Sequence, residues 1–147
     1  MKSILAIIVL SIGILLVACS KDKFETKPKL EIKDYNSKEI HQGEVMRIRL
    51  NYFDKEGDLN KAPFLAIIRR LNRVPLPPGQ DKVDTLRSTM PEFPAKDNGE
   101  ITFQLPFDFL KESLIQNDTI QFRFAVIDLA GNSSDTLTTD PIVIVLP

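Results

Sequence analysis

The sequence predicts an all-β chain, folded as a single antiparallel β-sandwich of about seven short strands with one brief helical crossover. Three observations carry this. Apolar and polar residues alternate with a period of two over most of the chain. Turn-forming residues recur about every ten positions. The helical spacing of three and four appears in one place, residues 107–115. A parallel α/β sheet would need a helix between each pair of strands, and the sequence provides one brief crossover alone.

The first strand begins with Leu30 and Ile32. His41-Gln42-Gly43 supplies a turn, after which Met46, Ile48, Leu50 and Tyr52 alternate with Arg47, Arg49 and Asn51. Asp54-Lys55-Glu56-Gly57-Asp58 ends that strand with turn residues. The more continuous apolar run Phe64 to Ile68, after Pro63, reads as an interior strand. Pro75, Pro77, Pro78 and Gly79 mark a loop, because proline removes ladder donors. Val83 to Arg87 reads as a short edge strand. Asp97-Asn98-Gly99 is a turn signal ahead of the alternating Ile101, Phe103 and Leu105. Phe107, Leu110 and Leu114 suit one or two helical turns, with Asp108 placed to cap them. Ile120, Phe122, Phe124 and Val126 form the clearest strand, Asp128 to Ser134 turns the chain, and Ile142 to Leu146 is the last strand.

The N-terminus has a different character. Lys2 precedes an uncharged run from Ile4 to Ala18. As a helix that run reaches roughly 22 Å, short of the hydrocarbon core of about 30 Å, so it reads as a leader rather than a membrane span. It ends in Leu15-Leu16-Val17-Ala18-Cys19, which resembles the lipobox of bacterial lipoprotein precursors. The resemblance implies cleavage before Cys19 and acylation of its thiol, with a membrane anchor through lipid. Ser20-Lys21-Asp22 resembles the export signal of surface lipoproteins in the Bacteroidota, although Lys23 stands where a second acidic residue is usual. A solvated charged tether is the alternative. The expected organisation is a signal peptide at 1–18, a lipidated tether at 19–29 and a domain at 30–147. Localisation follows as the outer membrane, on the periplasmic face or the cell surface.

Without residues 1–18, 129 of the 147 residues remain, enough for one domain with a core of its own. The single cysteine is taken up by lipid, so no intrachain disulfide is expected. The precursor carries 19 basic and 20 acidic residues, and loss of Lys2 leaves a net charge of −2. That balance offers nothing to nucleic acid.

Tyr52-Phe53-Asp54-Lys55-Glu56-Gly57-Asp58-Leu59 and Phe124-Ala125-Val126-Ile127-Asp128-Leu129-Ala130-Gly131-Asn132-Ser133 resemble the turns of immunoglobulin-like or fibronectin-III-like modules of Bacteroidota lipoproteins. The resemblance spans residues 30–146 and implies a fold, with no activity attached. The tryptophan and cysteine pair of antibody domains are absent.

Candidate chemistry centres on two acidic turns. Asp54, Glu56 and Asp58 crowd one, and Asp128 and Asn132 the other, and oxygen sets of this kind can hold Ca²⁺. An EF-hand is ruled out because the twelfth position would fall on Leu65 and the glycine comes too early. The reading preferred from sequence alone is that these residues end strands through side-chain bonds to backbone. Zinc lacks ligands, since His41 is the one histidine and is expected to lie exposed in a turn. Nucleophile elbow and phosphate loop are missing, so an enzyme is not expected.

Asp84-Thr85-Leu86, Asp118-Thr119-Ile120 and Asp135-Thr136-Leu137 resemble the O-glycosylation sequon of extracytoplasmic Bacteroidota proteins, which implies Thr85, Thr119 and Thr136 as acceptors. The alternative is that Asp-Thr starts strands. Arg69, Arg70 and Arg73 beside the proline loop suit either an acidic or sugar ligand or plain solvation. Phe93, Phe107 and Phe109 are expected to plug the ends of the sandwich. The functional expectation is a lipid-anchored, non-enzymatic binding, adhesion or structural module of the envelope, with an envelope protein or glycan as partner. A glycan-binding accessory of a nutrient-uptake system and a small surface hydrolase are the alternatives.

Overall fold

The computed structural model describes residues 26–80 and 85–147. Leader, Cys19, export signal and Asp84 lie outside the described residues. The fold is a β-sandwich of two sheets. One has three strands in the order β1 (Lys29–Tyr35), β3 (Val45–Phe53), β6 (Asn98–Pro106). The other runs β2 (Glu39–Ile40), β9 (Ile142–Ile144), β7 (Asp118–Val126), β4 (Pro63–Arg70), β5 (Thr85–Thr89), with β8 (Leu137–Thr138) also on β7. A one-turn helix, α1 (Phe107–Leu110), carries the chain from the first sheet toward the second.

Seven of these strands are the expected ones. The two additions, β2 and β8, are two residues long, too short to show a period. β2 pairs in parallel with β9, an exception to the antiparallel rule among the described strands. The edge position expected for residues 83–87 is found in β5, which pairs with β4 alone.

Period two does its work in β3 and β7. Met46, Ile48, Leu50 and Tyr52 face Ile120, Phe122, Phe124 and Val126 across the interior, all buried. Phe103 of β6 sits edge-on to Phe122 and Phe124 at 5.3 and 5.0 Å, and Phe64 stacks on Phe124 at 5.6 Å. Edge-to-face contacts of this kind let the rings interlock without a void. Phe107 is buried, Phe93 stacks on Tyr52 at 5.2 Å and Phe109 packs on the core, so all three plug the ends. A bulge between Ile32 and Asp34 turns two successive charged residues outward. There Lys33 pairs with Glu100 and Asp34 with Arg49, forming an exposed ladder with the 3.4 Å Arg49–Glu100 contact.

Three local expectations are corrected. Asn98 and Gly99 are not a turn: they open β6, opposite Phe53 and Tyr52. Gly99 stands there because the Tyr52 ring occupies the space of a side chain; a Cβ would lie 2.6 Å from Cζ. Asp108 does not cap α1. The cap is Pro106, without a side-chain bond, and the helix stops after four residues with Leu114 left exposed. Ile67 of β4 is also exposed, so this interior strand has one wet face.

Candidate metal centre

β3 and β7 each present alternate residues to the core, and each continues that register for one more step beyond its end. On β3 the inward series after Tyr52 reaches Asp54, and on β7 the series after Val126 reaches Asp128. The strands belong to facing sheets, so the two carboxylates meet at one end of the sandwich. Asp58 joins them. One carboxylate oxygen from each of Asp54, Asp58 and Asp128 lies within 4.8 Å of the others.

Each turn is built to aim these groups. The Asp54 N–H donates to the Asp97 carbonyl at 2.6 Å, and the Asp54 carbonyl accepts from the Gly57 N–H at 3.1 Å. That turn leaves Lys55 and Glu56 as its central, exposed residues. Gly57 has φ +68°, and a Cβ there would come 3.3 Å from the Lys96 backbone nitrogen, so only glycine fits without strain. Asp54 Oδ2 accepts from the Asp58 N–H at 2.8 Å. In the second turn Asp128 Oδ1 accepts from the Asn132 N–H at 2.6 Å, and Oδ2 from Asn132 Nδ2 at 2.8 Å. Ser134 closes the hairpin with Oγ accepting from the Val126 N–H at 3.0 Å.

Both acidic turns carry the expected side-chain bonds to backbone, at Asp54 and at Asp128, and the two turns meet in one composite group. Glu56 falls outside it, since the centre of its turn points to solvent. Asn132 contributes by orienting Asp128 through its amide rather than by turning its oxygen inward. Asp54 is 2 % exposed, and its Oδ1, like Oδ1 of the half-buried Asp58, is buried with no hydrogen-bond partner. Burial pushes the Asp54 carboxyl above its ordinary range, and the charges of Asp58 and Glu56 add to this despite the Asp58 N–H.

At the opposite end sits a polar network that sequence reasoning missed. Asp118 is fully buried and accepts from Asn72 Nδ2 at 2.7 Å, Lys111 Nζ at 2.9 Å and the N–H groups of Glu112 and Ser113, each at 2.9 Å. Arg70 is part of it, 3.7 Å from Asp118 and 3.8 Å from Glu112, and donates to the Leu110 carbonyl at 3.2 Å. Arg70 is thus structural, while Arg69 and Arg73 are exposed. The available signal was parity: Asp118 shares the inward register of Ile120 and Phe122, where a carboxylate needs partners.

Of the sequon threonines, Thr136 is exposed in a loop, Thr85 is half-buried at the start of β5, and Thr119 is half-buried within β7 opposite Val143. His41 is exposed in its turn, with its N–H donating to Glu44 Oε2 at 2.8 Å. Among the described residues no helix is long and apolar enough to cross a membrane.

Fold and site together define a β-sandwich domain with an acidic end and a polar-locked end. No protein-family model matches the chain. No curated protein matches it either. Among solved structures it is similar to the sporulation control protein Spo0M of Bacillus subtilis, with TM-score 0.46 and 10 % identity over 80 % of this chain and 49 % of that one. It is also similar to a cohesin module from a family 33 glycoside hydrolase of Clostridium perfringens, with TM-score 0.39 and 12 % identity over 80 % of this chain and 96 % of that one. A β-glucosidase from Listeria innocua, in complex with gluconolactone, gives TM-score 0.42 and 11 % identity over 81 % of this chain and 16 % of that one. The chain spans about half the length of the sporulation control protein.

Proposed function

We propose that this chain is a lipid-anchored, non-enzymatic module of the cell envelope that holds a protein partner at the end of the sandwich away from its anchor. The observation that carries this is the polarity of the domain. Lys29 opens β1 opposite Phe53, so the chain enters the domain at the end that bears Asp54, and an anchor on the N-terminal side would hold that end toward the membrane. At the other end Leu114 and Ile115 are 86 % and 75 % exposed, with Leu71 and Val74 exposed nearby and Pro75 to Pro77 lining the same groove. Exposed apolar residues gathered at one place mark contact surfaces. Rigid strands and the Asp118 network would present those loops with little ordering cost.

A glycan partner fits less well. Stacking on sugar rings asks for an open aromatic face, but Tyr52 is buried, the exposed Phe53 has Lys29 Nζ 5.9 Å above its ring and Tyr35 has Lys38 Nζ 5.2 Å above its own. Thr136, exposed in its loop, is the sequon hydroxyl most open to a glycosyltransferase, and an intact mass with its T136A counterpart tests that.

The test of the main reading has two arms. Cells fed a clickable fatty acid should label the wild-type chain and not C19A. A photo-crosslinker at Ile115 should give a discrete envelope adduct that is lost in L114D and absent with the crosslinker at Glu56. An unlabelled wild type, or identical products from both positions, would overturn it.

A further inference from the structure

We propose that Asp54, Asp58 and Asp128 bind one Ca²⁺ ion, which clips the β3–β4 turn to the β7 hairpin at the anchored end of the sandwich. Three carboxylates near one another would not suffice for this. The added observation is that Asp54 is 98 % buried by its 2 % exposure, yet its Oδ1 has no donor, and Oδ1 of Asp58 is in the same position. A buried carboxylate oxygen has lost its water and needs a replacement. Here oxygens of the neighbouring carboxylates stand within 4.8 Å, and like charges repel.

A cation resolves both costs at once. Two oxygens on one Ca²⁺, bonded at about 2.3–2.6 Å, can stand about 5 Å apart at most. The three oxygens lie within 4.8 Å of one another, so a single ion can span them. Mg²⁺ spans less, with bonds of about 2.0–2.1 Å, and demands near-octahedral order, whereas Ca²⁺ accepts six to eight oxygens in irregular sets. Backbone carbonyls and water would complete its shell. The group holds no histidine or cysteine, so zinc has no nitrogen or sulfur ligand there. Asn132 fits the same design, because two bonds to Asp128 fix the carboxylate's direction as outer-shell partners of metal ligands do.

The competing state is a proton shared between Asp54 and Asp58. The full mature lipoprotein, purified in detergent and stripped with chelator, separates the two. Ca²⁺ at about 5 mM, above the roughly 0.1–1 mM dissociation constants of extracellular modules, should raise the melting temperature by about 3–5 °C. Mg²⁺ at the same concentration should do less. D58N and D128N should lose the rise, while D135N, in the same hairpin but outside the group, should keep it. Calorimetric titration of the wild type should show one site, and it decides the matter even if a variant fails to fold. A flat titration, with equal melting in chelator and in Ca²⁺, would overturn the proposal in favour of the shared proton. That result would leave the acyl-labelling outcome, and the anchored-module reading with it, untouched.

Discussion

Asn72 and Asp118, forty-six positions apart in the chain, are joined by a bond from Asn72 Nδ2 to Asp118 Oδ1 at 2.7 Å, and the N–H of the next residue, Thr119, returns a bond to Asn72 Oδ1 at 2.8 Å. The loop after β4 is thereby sewn to the first residues of β7. Gln116 adds a further stitch, its side-chain oxygen accepting from the Val74 N–H at 3.2 Å. The exposed apolar residues at this end are thus carried on loops with fixed backbones.

Removing the Asp118 carboxylate should therefore be severe. It would leave the Lys111 ammonium, 10 % exposed, without its counter-charge and the Glu112 and Ser113 N–H groups without acceptors. D118A should cost about 3–5 kcal/mol in urea unfolding, the usual penalty for breaking one side of a buried ion pair. Burial raises the Asp118 carboxyl, but the bonds from Asn72, Glu112 N–H, Lys111 and Ser113 N–H outweigh it and hold the group below the ordinary range. Its stabilising contribution is thus present above the unfolded carboxylate value of about 3.9 and is lost as pH falls below that toward the folded value.

Gly99 should tolerate no side chain. A Cβ would lie 2.6 and 2.7 Å from Cζ and Cε1 of Tyr52, and the ring cannot retreat because Phe93 stacks on it. G99A should destabilise by about 1–3 kcal/mol through overpacking. In a double-mutant cycle with Y52A, the pair should cost at least about 1 kcal/mol less than the sum of the singles, as contacting sites do. Additive costs would show that the conflict lies elsewhere.

How much of this was legible follows from which signal each feature leaves. The long strands β3, β6 and β7 announce themselves because a half-buried strand must alternate; the inward residues of β3 and β7 are the observed core, and those of β6 pack against it half-buried. β2 and β8 are too brief to alternate, and Gly99 imitates a turn while serving a cross-strand ring. The acidic turns were visible as composition. Their union was not, because pairing across facing sheets depends on topology. Parity did hold the clue: Asp54, Asp118 and Asp128 all occupy inward registers of β3 or β7, where a carboxylate is costly unless something answers it.

Leu114 and Ile115 provide the contrasting case, where substitution should matter to a partner and not to the fold. Their side chains are largely exposed, and the nearby Ser113 and Gln116 bonds run through backbone and polar groups. L114D and I115D should change unfolding free energy by no more than about 0.5 kcal/mol, as surface changes do. A larger loss would mean that these residues pack on the domain itself.

Asp54 gives the sharpest separation between metal and proton. In chelator, its carboxyl is held above the ordinary range, so the folded chain keeps this proton to higher pH than the unfolded chain does. Stability from this group is then fully present below the unfolded value of about 3.9 and is lost as pH rises through the folded value, opposite in sign to Asp118. D54N removes the charge and keeps the shape. Without Ca²⁺ it should be more stable than wild type by about 1 kcal/mol near pH 7, the worth of one hydrogen bond no longer opposed by repulsion. With Ca²⁺ the order should reverse, since the wild type gains an ion that the variant holds less well. Urea midpoints measured in chelator and in Ca²⁺ give both comparisons, and a D54N protein weaker than wild type under chelation would show that the buried charge is already answered by the chain.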